Sequence, residues 1–142
     1  MTSHEELLKI QQGKLLKALA HLEYSYKKVQ RLSEQLNELD EEGLETWESF
    51  AARFSRVAEI FLARYLRTAV LRHDPGFSGT LRDFVNQGEK LGLIDDADAW
   101  MSIRELRNLT AHEYSEKDLP LFLKQLKDEC PRLLKIKTLI SL

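Results

Sequence analysis

Apolar residues recur at steps of three and four positions along almost the whole chain, a spacing that places them on one face of an α-helix. The first run begins after Ser3, whose hydroxyl can cap a helix, and continues to about Leu39. The second, Leu44–Arg72, is the richest in aromatic residues. Asp40–Gly43 and His73–Gly79 interrupt the pattern, and the latter contains a Pro-Gly pair that cannot continue a helix. The pattern predicts an all-α fold.

Capping signals divide the remainder of the chain. They stand where helices are expected to begin or end: Thr80 with Asp83, Gly92, Asp95 or Asp96, and Ser115 with Asp118. Pro131 should kink or divide the last helix because it removes a backbone donor. The sequence contains no strand signals, internal repeats or Gly-rich phosphate loops. We therefore predict one domain, residues 1–142, folded as an antiparallel up-and-down bundle of four to five helices.

Composition excludes several classes of function. A chain of 142 residues, 43% hydrophobic, can bury one core, and its formal charge of −2 does not favour a broad polyanion-binding surface. We therefore expect no DNA partner, although a local basic site is compatible with this balance. The single cysteine, Cys130, excludes an internal disulfide and a cysteine-based zinc site, and it is expected to be buried. Without a signal-peptide pattern or a long apolar run, we expect a soluble cytoplasmic protein with no membrane partner.

The segment Trp100–Tyr114 combines apolar residues with an unusual density of polar ones. On an ideal helix, one face carries a core stripe: Ala99, Ile103, Leu106 and Leu109. The opposite arc carries polar residues: Arg104, Asn108 and His112 at steps of four, and Arg107 and Tyr114 beside them. Apolar residues, namely Ala97, Trp100 and Met101, share that arc. The first half of the helix is therefore expected to be buried on both sides, and the polar second half to face another surface.

Arg107 and His112 are five positions apart, which separates them by roughly 140° on an ideal helix. They converge only if the helix loosens near Ala111 or if a second copy of the chain supplies the partner residue. The spacing therefore favours a dimeric site. A simpler interpretation pairs the arginines with nearby carboxylates such as Glu105 and lets the histidine cap the helix end.

The sequence Arg107–Tyr114, R-N-L-T-A-H-E-Y, resembles the R-x-x-x-x-H-x-Y signature of the HEPN family. Within that family it resembles in particular the HepT-like proteins and the substrate-binding proteins encoded beside a minimal nucleotidyltransferase. The flanks Gly92–Trp100 and Ser115–Asp118 also resemble that family, giving a motif region of residues 92–118, and the similarity extends from about Trp47 to the C-terminus. The resemblance implies a helical homodimer that works with a minimal nucleotidyltransferase.

For HepT-like relatives, the resemblance implies a toxin that cleaves RNA without a metal and is silenced when the partner antitoxin transfers AMP to the motif tyrosine. Arg107 and His112 are then the catalytic residues, Tyr114 is the modified one, and Arg104, Asn108 and Tyr114 contact the substrate or nucleotide. These side chains suit the chemistry, since histidine can exchange a proton near neutral pH and arginine can fork onto a phosphate. No cofactor or metal is predicted, because no second histidine follows His112 at ligand spacing.

Two other functions are compatible with the same residues. In a non-catalytic subunit, the arginines would hold a nucleotide or substrate for the nucleotidyltransferase and His112 would only donate a hydrogen bond. In a structural adaptor, none of these residues would matter beyond stability. The polar flank of the second helix could add contacts to an RNA phosphate; its arginines are Arg53, Arg56, Arg64, Arg67 and Arg72.

Overall fold

The computed structural model describes residues 3–33, 38–109 and 119–140. Its helical segments are, in order, α1 (His4–Val29), α2 (Glu41–Glu59), a π-helical segment (Ile60–Leu66), α3 (Arg67–His73), α4 (Leu81–Lys90), α5 (Ala97–Leu109), α6 (Leu119–Leu134) and α7 (Ile136–Ile140). The three segments from α2 to α3 follow one another without a break and form one long helix. Within the described ranges there is no β-strand. The protein is an all-α bundle of five main helices, as predicted, with the short α7 added.

Helix α1 begins as predicted but ends ten residues earlier than expected. The Ser3 hydroxyl accepts a hydrogen bond from the Glu6 backbone N–H at 3.1 Å. The helix stops at Val29 instead of about Leu39. Beyond it, backbone bonds close tighter turns over three residues, and the Trp47 indole donates to the Ser33 carbonyl at 3.1 Å. The apolar spacing after Val29 predicted more helix, but the chain there instead turns and contacts α2. Residues 34–37 lie outside the described part of the chain.

Helices α1 and α2 pack side by side in opposite directions. The Trp47 indole reaches Ser33, the Phe50 ring stacks on Tyr26 with centroids 6.2 Å apart, and Arg53 donates to the Ser25 hydroxyl at 2.7 Å. Positions rise along α2 as they fall along α1, so the pair is antiparallel. The fully buried residues of α2 form the predicted stripe: Trp47, Phe50, Phe54 and Val57. The break expected at Asp40–Gly43 is a helix start, because the Asp40 carboxylate accepts from the Gly43 N–H at 2.8 Å.

The π-helical segment was not predicted. It packs closely against α4, where a Cβ added to Gly88 would lie 2.9 Å from Leu66 Cδ1. Just after the segment, the buried Thr68 hydroxyl donates to the Arg64 carbonyl at 2.9 Å. Thr68 therefore supplies a side-chain donor to a carbonyl of the segment, where the hydrogen-bond pattern differs from that of an α-helix.

The predicted caps around α4 and α5 are present. Thr80 and Asp83 form a reciprocal capping box, with distances of 2.8 and 3.2 Å. Gly92 adopts a φ of 74°, which lets the chain leave α4 in a left-handed turn. Of the two candidate caps of α5, Asp96 accepts from the Ala99 N–H at 3.2 Å. The neighbouring Asp95 instead accepts from the Trp100 indole at 3.4 Å.

The last helix divides, as predicted, but four residues after the proline. Helix α6 continues through Pro131 to Leu134, and the chain turns at Lys135 before α7. Cys130 is fully buried, as expected. In the part of the chain that the structure describes, none of the helices has the length and apolar content needed to cross a membrane.

Candidate functional site

Helix α5 buries Ile103 and Leu106 of the predicted core stripe, but its buried face is rotated towards Trp100. Its buried residues are Ala97, Trp100, Ile103 and Leu106, whereas Ala99 is only half-buried. Its exposed residues include Asp98, Ser102 and Glu105, so the first half is not buried on both sides. The Trp100 ring, 4.9 Å from that of Phe61, accounts for the difference, because burying the largest side chain of the helix sets its rotation.

The polar partners of Arg107 include Glu59 and Asn108. Its Nη2 lies 3.0 Å from Glu59 Oε2, and its Nη1 donates to Asn108 Oδ1 at 2.8 Å. The side chains of Arg107 and Glu59 are 35% and 40% exposed, so solvent reaches the ion pair. Arg107 pairs with a carboxylate, as the simpler interpretation predicted. The carboxylate is that of Glu59 at the end of α2, however, and not that of Glu105 on α5. Asn108 orients the guanidinium, and Glu59 ties it to the long helix.

This pair stands in an open groove of about 400 Å³ between α5 and the long helix. The residues lining the groove are Ala52, Ser55, Arg56, Glu59, Ile60, Arg64 and Arg107. They include three guanidinium groups and one carboxylate, so the described residues of the groove carry a formal charge of +2 in a chain whose net charge is −2. The local basic site that the composition left open is therefore found beside the predicted catalytic arginine.

The π-helical segment explains why Arg64 lines this groove. In a regular α-helix, Arg56 and Arg64 would be offset by roughly 80° around the axis. A π-helix, with bonds from residue i to i+5, has about 4.4 residues per turn, or about 80° per residue. The four steps from Ile60 to Arg64 then rotate the chain roughly 70° less than α-helical steps would. Arg64 consequently returns to nearly the same line along the helix as Arg56.

The other arginines of the long helix have structural contacts elsewhere. Arg53 donates to the His21 carbonyl at 3.1 Å as well as to Ser25. Arg67 lies over the Phe84 ring, 4.9 Å from its centroid, and Arg72 lines a separate cavity beside Tyr65. Of the five arginines predicted as possible phosphate contacts, Arg56 and Arg64 are therefore the two beside Arg107. Arg104 is half-buried on α5 and is not among the residues that line the groove.

Other parts of the predicted site cannot be placed. His112 and Tyr114, with Ala111, Ser115 and Asp118, lie outside the described residues. The structure therefore locates Arg104, Arg107 and Asn108. The convergence of Arg107 with His112 stays a prediction. Glu59 was not identified from the sequence. Its position three residues after Arg56 on the polar flank is an ordinary surface pattern, and its partner is on a helix far along the chain.

A larger cleft differs from the groove in its charges. It has a volume of about 660 Å³ and lies between the α4–α5 connection and the α6–α7 region. Its ionic side chains are three acids and two bases, namely Asp95, Asp128, Glu129, Arg132 and Lys135. Arg132 is already paired with Asp95 at 3.0 Å and lies over the Trp100 ring. By size alone this cleft would be the better candidate for a ligand site, but its excess of acidic side chains does not favour binding of an anion.

The chemistry available in the groove is anion binding. Guanidinium groups offer paired donors that match phosphate oxygens, and they stay protonated at any physiological pH. Within residues 3–33, 38–109 and 119–140, no three histidine, cysteine or acidic side chains are grouped so that they could hold a metal ion. Comparison of the chain with models of protein families and with characterised proteins gives no match.

Proposed function

We propose that the chain is a HEPN-type toxin of a two-component module, a metal-independent ribonuclease that a minimal nucleotidyltransferase silences. The sequence support is the resemblance of Arg107–Tyr114 and its flanks to the family signature. The structural observation that carries the proposal is the position of Arg107, which stands in a solvent-open groove with Arg56 and Arg64. The Arg107 side chain is 35% exposed, so a ligand in the groove can reach it.

The proposed reaction uses residues of the motif in separate roles. A histidine takes the proton of the RNA 2′-hydroxyl as its oxygen attacks the adjacent phosphorus. Arg107 stabilises the negative charge that develops on the phosphorus oxygens, and Asn108 keeps its guanidinium oriented. The bond to the 5′-oxygen breaks, that oxygen receives a proton from a second acid, and the product carries a 2′,3′-cyclic phosphate. A homodimer would bring two copies of His112, one for each proton transfer.

Control by the partner fits the same electrostatics. Transfer of AMP to Tyr114, seven residues after Arg107 in the sequence, would add a negatively charged phosphodiester and a nucleotide to the motif. The added negative charge would compete with RNA for the arginines. On this proposal, Arg104, Asn108 and Tyr114 contact the substrate or nucleotide.

A non-catalytic nucleotide-binding subunit is the second candidate. The groove volume of about 400 Å³ favours it, because pockets for small ligands begin at about 300 Å³. On this alternative, the arginines hold the phosphates of one nucleotide for the partner enzyme, and His112 takes part only as a hydrogen-bonding group.

RNA cleavage in excess EDTA tests the proposal. Wild-type protein shown by intact mass to carry no AMP is compared with Arg107→Ala and His112→Ala. Arg82→Ala is the matched control, because Arg82 is an exposed arginine paired with Asp98 away from the groove. We expect cleavage with 2′,3′-cyclic ends by the wild type and the control, and none by the two motif variants. Absence of cleavage by unmodified wild type would favour the binding subunit.

A further inference from the structure

Arg56 and Arg64 are the two cations of the groove whose charges are not already neutralised within the described part of the chain. Both side chains are exposed. Neither has a carboxylate within salt-bridge distance among the described residues, whereas Arg82, Arg107 and Arg132 each have one. A guanidinium without a local counter-ion, facing a groove, is available to an external anion.

The spacing of the two arginines indicates what kind of anion fits. They are eight residues apart, which a regular helix would turn into about 12 Å along its axis, and ideal π-helical geometry over Ile60–Leu66 would bring them close to one line. One phosphate group cannot occupy both positions while the side chains are extended. Two phosphates of one nucleic acid strand that are not direct neighbours can, because the strand carries a row of charges.

Glu59 lies between these arginines in the sequence and binds Arg107. A carboxylate at this position repels an incoming phosphate and occupies donors of Arg107 that a phosphate would use. An RNA backbone that is already bound by Arg56 and Arg64, however, can displace the Glu59 carboxylate from Arg107 at little further entropic cost, because the RNA is held nearby. Glu59 therefore discriminates against isolated phosphates and in favour of a chain of them.

We propose that Arg56 and Arg64 form a binding subsite for two backbone phosphates of one single-stranded RNA, and that Glu59 is the carboxylate this backbone must displace from Arg107. The identity of the ligand as RNA rests on the proposed function. The subsite itself rests on the alignment, the exposure and the absence of local counter-ions described above.

The test measures binding of a labelled oligouridine to full-length protein carrying His112→Ala, so that the RNA is not cut. Affinity is measured over a series of salt concentrations, with Arg56→Gln, Arg64→Gln and Glu59→Gln added singly. Each lost phosphate contact lowers the slope of log affinity against log salt by about 0.7 for a single strand, or roughly fivefold in affinity at 0.1 M salt. Glu59→Gln should tighten binding. The control Arg82→Gln, and Arg56→Lys, which keeps the charge, should leave the slope unchanged.

The outcomes separate this inference from the proposed function. A reduced slope in both arginine variants, with tighter binding by Glu59→Gln, supports the subsite whether or not the wild type cleaves RNA. If the His112→Ala protein binds RNA with the same slope in all variants, the subsite is wrong, although cleavage by the wild type would still support the ribonuclease. If no variant binds RNA but all bind AMP, the polynucleotide inference is overturned. Circular dichroism of each variant verifies that it is folded.

Discussion

The guanidinium of Arg107 lies 3.0 Å from the carboxylate of Glu59 and joins the motif helix α5 to the last turn of α2. The contact lies where the long helix changes from α- to π-helical geometry. Arg107, the predicted catalytic arginine, is thus held next to this junction, and Arg64 from the π-helical segment lines the same groove. The positions of Arg107 and Arg64, and with them the positive charge of the groove, therefore depend on the α-to-π junction at Glu59 and Ile60.

The Arg107–Glu59 ion pair should matter little for stability. Both side chains are more than a third exposed, so solvent screens the pair. A double-mutant cycle with Arg107→Ala and Glu59→Ala, followed by urea unfolding, should give a coupling energy of about 1 kcal/mol or less. A larger coupling would mean that the pair is a structural element, and lost cleavage in Arg107→Ala could then no longer be assigned to chemistry.

Two helical glycines should respond in opposite directions to alanine. At Gly13 an added Cβ meets nothing within 4 Å, so Gly13→Ala should raise the free energy of unfolding by about 0.5–1 kcal/mol through helix propensity. At Gly88 the Cβ would lie 2.9 Å from a methyl group of the buried Leu66. Overpacking costs about 1–3 kcal/mol, so Gly88→Ala should destabilise the protein.

Thermal or urea unfolding of both variants measures this difference. Because Leu66 belongs to the π-helical segment, Gly88→Ala also reports on how tightly α4 holds that segment. Equal stabilisation by the two alanines would contradict the close contact.

The capping box of α4 should make stability depend on pH at the acidic end. Hydrogen bonds from the backbone and hydroxyl of Thr80 lower the pKa of Asp83 below its usual 3.8. Because the pKa of Asp83 is lowered in the folded state, its ionised carboxylate stabilises the protein above pH 4. This stabilisation is lost as the pH falls through the pKa that Asp83 has in the folded protein. Asp83→Asn should therefore melt at a lower temperature than wild type at pH 7, and the gap should narrow towards pH 2–3. A gap that stays constant over this range would argue against the box.

Cys130 should be inert in the folded protein. Burial raises the pKa of its thiol far above the usual value, and the side chain is fully buried. Because the thiolate is the reactive form, a thiol reagent should label the native protein at a small fraction of the rate seen in denaturant. The labelling rate should follow unfolding and can serve as a measurement of it. Rapid native labelling would show that α6 opens near Pro131.

Much of the fold could be predicted from the sequence because its signals are local. The Thr80–Asp83 box, the turn at Gly92 and the cap at Ser3 depend only on residues within a few positions of each other. The aromatic stripe of α2 follows from helical spacing alone. Where a distant contact competes with the local pattern, the prediction failed: α1 ends at Val29 because the chain turns so that its backbone meets the Trp47 indole.

The candidate site shows the same division. The sequence alone determined an all-α bundle, its helix starts and a candidate motif segment that contains Arg107 and Asn108. Only the tertiary structure identified Glu59 as the partner of Arg107 and selected Arg56 and Arg64 from five similar arginines. The physical reason is that caps and apolar stripes are set by neighbours within one or two helical turns. An ion pair between helices and the rotation added by a π-helical segment depend on how the whole bundle packs.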